Sequence, residues 1–142
     1  MNYGRLALAA VVATVVDAVY GFLVWGTLLA GEFSRYSYVY RPPEVGPSYL
    51  PFIFLGVLLA MFTAAYIYAK GYEGGPGLQE GMRFGVCLGV FVVGAAYFVD
   101  YAVLNIGRKL AASMAVAGFV EWLIAGTIIG ALYKPTGGAP RR

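Results

Sequence analysis

The stretch LALAAVVATVVDAVYGFLVWGTLLA, residues 6–30, decides the fold class, because a single charged side chain, Asp17, interrupts it. A bilayer core about 30 Å thick needs roughly 20 apolar residues in helix. The run meets that length, and it lacks the apolar–polar alternation of a membrane strand. It also outlasts the apolar part of a cleaved signal, continuing past Asp17 into Gly21–Ala30. Residues 6–30 are therefore expected to form a transmembrane helix.

Working outward, three further stretches have the same character: residues 49–69, 84–104 and 112–133. The expected fold is an all-α membrane protein, one domain over 1–142 with four transmembrane helices. Composition supports the reading, with 61% hydrophobic and 12% charged residues, where soluble domains carry about 25% charge. A chain of 142 residues cannot hide that much apolar surface from water, because small domains keep a large surface for their volume.

Several function classes drop out. The chain has no histidine and one cysteine, Cys87. Histidine-dependent triads, histidine-ligated haem and thiol clusters are thereby removed from this chain acting alone. No catalytic residue, metal or cofactor is expected. The net charge of +3 lies in short clusters between apolar runs, with no basic stripe to follow a nucleic acid.

Orientation follows from the basic residues. With both termini in the cytoplasm, the inside carries Arg5, Lys70, Arg83, Lys134, Arg141 and Arg142, and the outside Arg35, Arg41, Arg108 and Lys109. Six against four favours N-in and C-in. The expected location is the cytoplasmic membrane of a bacterium or archaeon.

The halves of the chain share features. Asp17 in the first span has a counterpart in Asp100 of the third. The second span ends on Tyr68 and Lys70 before Gly74–Gly75, and the fourth on Tyr133 and Lys134 before Gly137–Gly138. Two related hairpins, repeated in parallel about an axis along the membrane normal, are one expectation. Chance similarity among membrane helices is the other.

Small residues mark the packing seams. Gly81, Gly85 and Gly89 recur every four residues, as do Gly126 and Gly130, with Gly118 two such steps earlier. Ala9, Ala13, Asp17 and Gly21 share one i, i+4 ribbon in the first span. In lipid, close backbone approach and polar contacts hold helices together, so these positions are expected at interfaces. Packing within one bundle and contact with other subunits are both open.

The intramembrane acids Asp17, Asp100 and Glu121 carry the functional question. A central carboxylate costs about 2.5–3.5 kcal/mol on insertion scales, so each must face protein, water or a partner. No lysine or arginine sits at mid-span to pair with them. Three roles remain: a satisfied interhelical hydrogen bond, a proton or cation site, or a pairing with a basic group of another polypeptide. Trp122, Tyr20 and Tyr97 are candidate neighbours, since aromatic rings beside a carboxylate can hold an organic cation.

Residues 31–48 form the longest loop. Tyr36, Tyr38 and Tyr40 alternate, so an extended segment would show all three on one side, and Pro42–Pro43 then forbid helix. The loop reads as an interfacial aromatic belt, a docking surface for a partner, or a lid. The segment KGYEGGPGLQEGMR, residues 70–83, reads as a tight turn with a helix starting near Leu78.

Residues 70–85 and 121–135 resemble small bacterial four-helix membrane proteins of uncharacterised families, which have no assigned activity to carry over. The leading expectation is a small non-enzymatic membrane protein that self-associates or serves as an accessory subunit, its partners being lipid, copies of itself or other membrane subunits. The alternative is a small proton- or cation-coupled transporter or channel using the intramembrane carboxylates.

Overall fold

Asn2 begins the first helix by accepting a hydrogen bond from the Arg5 N–H, 3.1 Å away, which satisfies one of the donors a helix start leaves free. A computed structural model describes residues 1–42 and 44–135. Arg141, Arg142 and the Gly137–Gly138 pair, used above for orientation and repeat, lie outside the described residues.

The chain runs through α1 (Tyr3–Tyr20), a π-helical segment (Gly21–Leu28) and α2 (Ala30–Ser34). A 3-10 turn (Gly46–Tyr49) then leads into α3 (Leu50–Gly71). After a turn come α4 (Gly77–Val92), a second π-helical segment (Val93–Phe98), α5 (Val99–Val103) and α6 (Arg108–Leu132). Four continuous helical stretches, Tyr3–Leu28, Gly46–Gly71, Gly77–Val103 and Arg108–Leu132, are each long and apolar enough to cross a bilayer. No strand occurs among the described residues. The helices start three to seven residues before the apolar runs, most at Gly77, beside the start expected near Leu78, and three of them end one or two residues short, because backbone hydrogen bonding does not follow hydropathy residue by residue.

The surface is apolar in the way hydrocarbon demands. Phe22, Leu28, Phe52 and Val103 are each more than 70% exposed, and no soluble bundle presents such a belt without a partner. We therefore describe the molecule as a four-helix membrane bundle. Its cap end carries residues 29–42 and 44–49, and its terminal end carries Met1 and the turn at 72–76.

Glycine builds the tightest contact. Along α4, Gly77, Gly81 and Gly85 face Gly126 and Gly130 of α6, backbone against backbone. A Cβ on Gly81 would lie 2.5 Å from the Gly126 oxygen and 2.8 Å from the Gly130 Cα. Gly89 instead meets the Phe119 ring, and Gly118 the Tyr97 ring. This is the small-residue approach that stabilises helix pairs in lipid.

On the other side of α6, α1 and α3 complete the core. Leu6, Ala10 and Ala13 pack with Met61, Ala64, Ala65 and Tyr68, and with Ala125, Ile129 and Tyr133. Ala9, Ala13 and Asp17 are all buried, so their shared ribbon is a packing face. Tyr68, Tyr72 and Tyr133 cluster with Phe84 and close the terminal end.

Two connections decide what the ends look like. At the terminal end Gly74 takes a positive φ of 90°, a conformation glycine adopts without strain. The Glu80 carboxylate folds back to accept the N–H groups of Glu73 and Gly75. At the cap end the loop corrects the extended reading: residues 35–39 form turns, with the Tyr36 N–H bonded to the Phe33 carbonyl and the Val39 and Tyr40 N–H groups to that of Tyr36. Tyr36, Tyr38 and Tyr40 consequently do not form one extended face. Phe33, Tyr36 and Tyr40 turn inward on Ile106, Leu110 and Met114.

Candidate functional site

Asp17 reaches the interior because it continues the ribbon of Ala9 and Ala13, whose small side chains let α1 lie close to its neighbours. That brings it to α6, not to Asp100. The Asp17 and Glu121 carboxyls lie within hydrogen-bonding reach of each other. Asp17 is 6% exposed. The seam around the pair, lined by Ala13, Val16, Tyr20, Ile124, Ala125 and Ile128, leaves no room for a water molecule. An ionised carboxylate only accepts hydrogen bonds, so two of them can bond to each other only through a proton.

The surrounding groups are donors and rings. The Trp25 indole N–H donates to Glu121 Oε2 at 3.1 Å. The Tyr20 hydroxyl donates to the Ala117 carbonyl at 2.7 Å, placing its ring beside the pair. Tyr97 stacks on Trp25 with centroids 6.2 Å apart and planes 26° apart, and is pressed against Gly118, where a Cβ would collide with its ring. No lysine or arginine lines the seam.

The π-helical segment Gly21–Leu28 sets up this geometry. Its wider winding bonds the Leu29 N–H to the Val24 carbonyl and the Thr27 hydroxyl to the Phe22 carbonyl, five residues back. Such segments inside α-helices are frequent at functional sites. Gly21, one step beyond Asp17 on the ribbon, opens the segment, and the next step along is Trp25. Trp25 is the residue sequence reasoning missed, although continuing the Ala9–Gly21 spacing by four residues points to it.

From Trp25 an aromatic column runs to the cap. Phe33 lies 6.3 Å from Trp25 and 4.8 Å from Tyr40 between centroids. The cap is pinned to the α5–α6 connection. Tyr36 Oη accepts the Gly107 N–H at 3.1 Å, and Tyr38 Oη donates to the Asn105 carbonyl at 2.8 Å. Lys109 Nζ bonds Glu32, which Arg35 also approaches at 3.5 Å. All three loop tyrosines spend their hydroxyls within the chain, Tyr40 on Met114 Sδ at 3.5 Å. Burial, then the charge of Asp100, pushes the Tyr40 hydroxyl above its ordinary pKa.

The hydrogen bond from Lys109, with the positive charge of Arg35, holds the Glu32 carboxyl below the usual range. The ion pair therefore contributes at neutral pH and is lost as pH falls through that depressed value. Lys109→Met is expected to raise the Glu32 titration, with Arg35 still holding it down, read by carbon NMR of labelled glutamate. An unmoved titration would mean that the pair does not hold the cap.

Other sequence candidates fall elsewhere. Asp100 sits in α5 and makes no ion pair among the described residues. Trp122 packs against the α1–α3–α6 core rather than on the carboxyls. No group of three or more metal-ligating side chains occurs among the described residues.

What the geometry defines is a membrane bundle with a carboxyl pair, Asp17 buried and Glu121 half-buried, between two of its helices. Comparison with protein-family models, curated proteins and solved structures finds no match.

Proposed function

We propose that the chain is a small, non-enzymatic proton-coupled carrier, with Asp17 and Glu121 as its proton site. One observation supports this above the others: two acids from different helices meet in a seam that admits no water and no basic side chain. A bare proton fits such a seam, and a hydrated metal cation does not. Intramembrane acids facing protein mark ion and proton pathways. The cap end faces outward and both termini lie in the cytoplasm on the count of basic residues, in the inner membrane of the cell. One role open to the acids was pairing with a basic group of another polypeptide. The two carboxyls now partner each other, which weakens that argument.

The test is proton flux in liposomes loaded with a pH-sensitive dye. Wild type should collapse an imposed pH gradient, while Asp17→Asn and Glu121→Gln should each slow it by about 100-fold, a loss of roughly 2.7 kcal/mol of barrier lowering. Asp100→Asn should behave as wild type. Wild-type liposomes no leakier than empty ones, with and without added solutes, would end the proposal.

A further inference from the structure

A groove of about 580 Å³ runs along the outside of the bundle, between the first π-helical segment and the cap-side half of α6. Val24, Leu28, Ser113, Val116 and Ala117 line it, and its wall is almost wholly apolar. Leu28 and Val116 are 74% and 65% exposed, so the groove opens sideways to lipid. Its inner end is Tyr20, and Tyr20 also lines the seam that holds Asp17 and Glu121. Tyr20, held by its bond to the Ala117 carbonyl, thus stands between a lipid-facing slot and two acids that lack a cation, lining both.

From this juxtaposition we infer that the groove is the tail site of a lipophilic monovalent cation, a long-chain ammonium, whose head takes the place of the shared proton at Asp17 and Glu121. The occupant follows from complementarity along the path. An alkyl tail is the chemistry that matches a slot of valine, leucine and alanine between residues 112 and 120, about 12 Å of helix. A fixed positive charge is what two carboxyls without a lysine or arginine lack. Tyr20 borders the acids, and Trp25, stacked with Tyr97, meets Glu121 by its N–H edge. Entry needs the Tyr20 ring to swing away, at the cost of one hydrogen bond, and the head fills the space that ring leaves, because the seam with Tyr20 in place is too tight for a water molecule. The tail never leaves the hydrocarbon, so the ligand arrives from the bilayer and not from water.

The inference rests on the proton reading of the same pair, and the two are scored separately. The probe is decyltrimethylammonium, whose charge cannot be lost, with decanol as its neutral counterpart, on protein in lipid nanodiscs with empty nanodiscs as blank. Wild type is expected to bind the ammonium saturably, to release about one proton per cation into weakly buffered medium, and to be indifferent to decanol. Val116→Trp fills the groove from a lipid-facing position and should weaken binding at least tenfold, with proton flux in the absence of ammonium unchanged. Ala112→Phe, further along the slot, supplies the same block if the tryptophan variant misfolds. Glu121→Gln should abolish proton release. The inference is overturned if the groove-filling variants bind as wild type does, if decanol competes equally, or if no saturable binding is seen. Flux from wild type without ammonium reports on the proton site alone, so failure of one reading does not register as failure of the other.

Discussion

Gly126→Ala is expected to lower the stability of the bundle by about 3 kcal/mol, read as the midpoint of unfolding in mixed micelles of rising SDS content. A Cβ at that position would overlap the Gly85 Cα and lie 2.5 Å from its nitrogen and 2.9 Å from the Gly81 oxygen. These are backbone atoms on a facing helix, so no rotamer change relieves the contact. The only relief is to move α4 away from α6, and that movement opens the whole seam from Gly77 to Gly89. The control is Gly56→Ala in α3, where a Cβ would meet nothing within 4 Å. There alanine should be neutral or stabilise by up to about 1 kcal/mol, because it costs less backbone entropy in a helix. Equal midpoints for the two variants would mean that the helices are not in backbone contact.

That seam was legible in the sequence because glycines at a four-residue spacing on two apolar runs have few uses other than close approach. The spans were legible for a similar reason: length and hydropathy are local properties. What was not legible was pairing. The ribbon of Ala9, Ala13 and Asp17 said that Asp17 faces a helix, but not which one. Asp17 and Glu121 both read as mid-span acids and Asp100 as lying nearer the outer end, but nothing local said that Asp17 and Glu121 meet. The choice is made by α1 lying against α6 through Ala13 and Ala125, a tertiary fact with no local signature. The cap was misread as extended because the alternation of Tyr36, Tyr38 and Tyr40 is conspicuous. The competing spacing, Phe33, Tyr36 and Tyr40 at i, i+3 and i+7, is that of a helical turn. It prevails because those three side chains can bury together on Ile106, Leu110 and Met114, whereas an extended strand would leave its backbone groups unpaired.

Replacing both acids by leucine is expected to give a bundle at least as stable as wild type, while either single replacement is destabilising by about 1–3 kcal/mol. The asymmetry follows from what each change leaves behind. Glu121→Leu strands the Asp17 carboxyl, 6% exposed, against an apolar side chain, and also removes the acceptor of the Trp25 N–H. Asp17→Leu leaves the half-buried Glu121 with the Trp25 N–H alone and an apolar side chain where its carboxyl partner was. A buried polar group without its partner loses its whole solvation, whereas removing both partners together can be neutral. The double variant loses the Trp25 acceptor but no longer holds any acid in the seam, and leucine fills the volume in a packed apolar wall of Ala13, Val16, Ile124 and Ile128. The coupling in a double-mutant cycle should therefore be large and of the same sign in both orders. All three variants should be inactive in proton flux. If the double variant is instead less stable by the sum of the singles, the two acids do not act as a pair, and the argument for a shared proton site is gone. If it is as stable as wild type and silent in flux, the chain keeps two acids in its hydrophobic interior for a reason other than holding itself together.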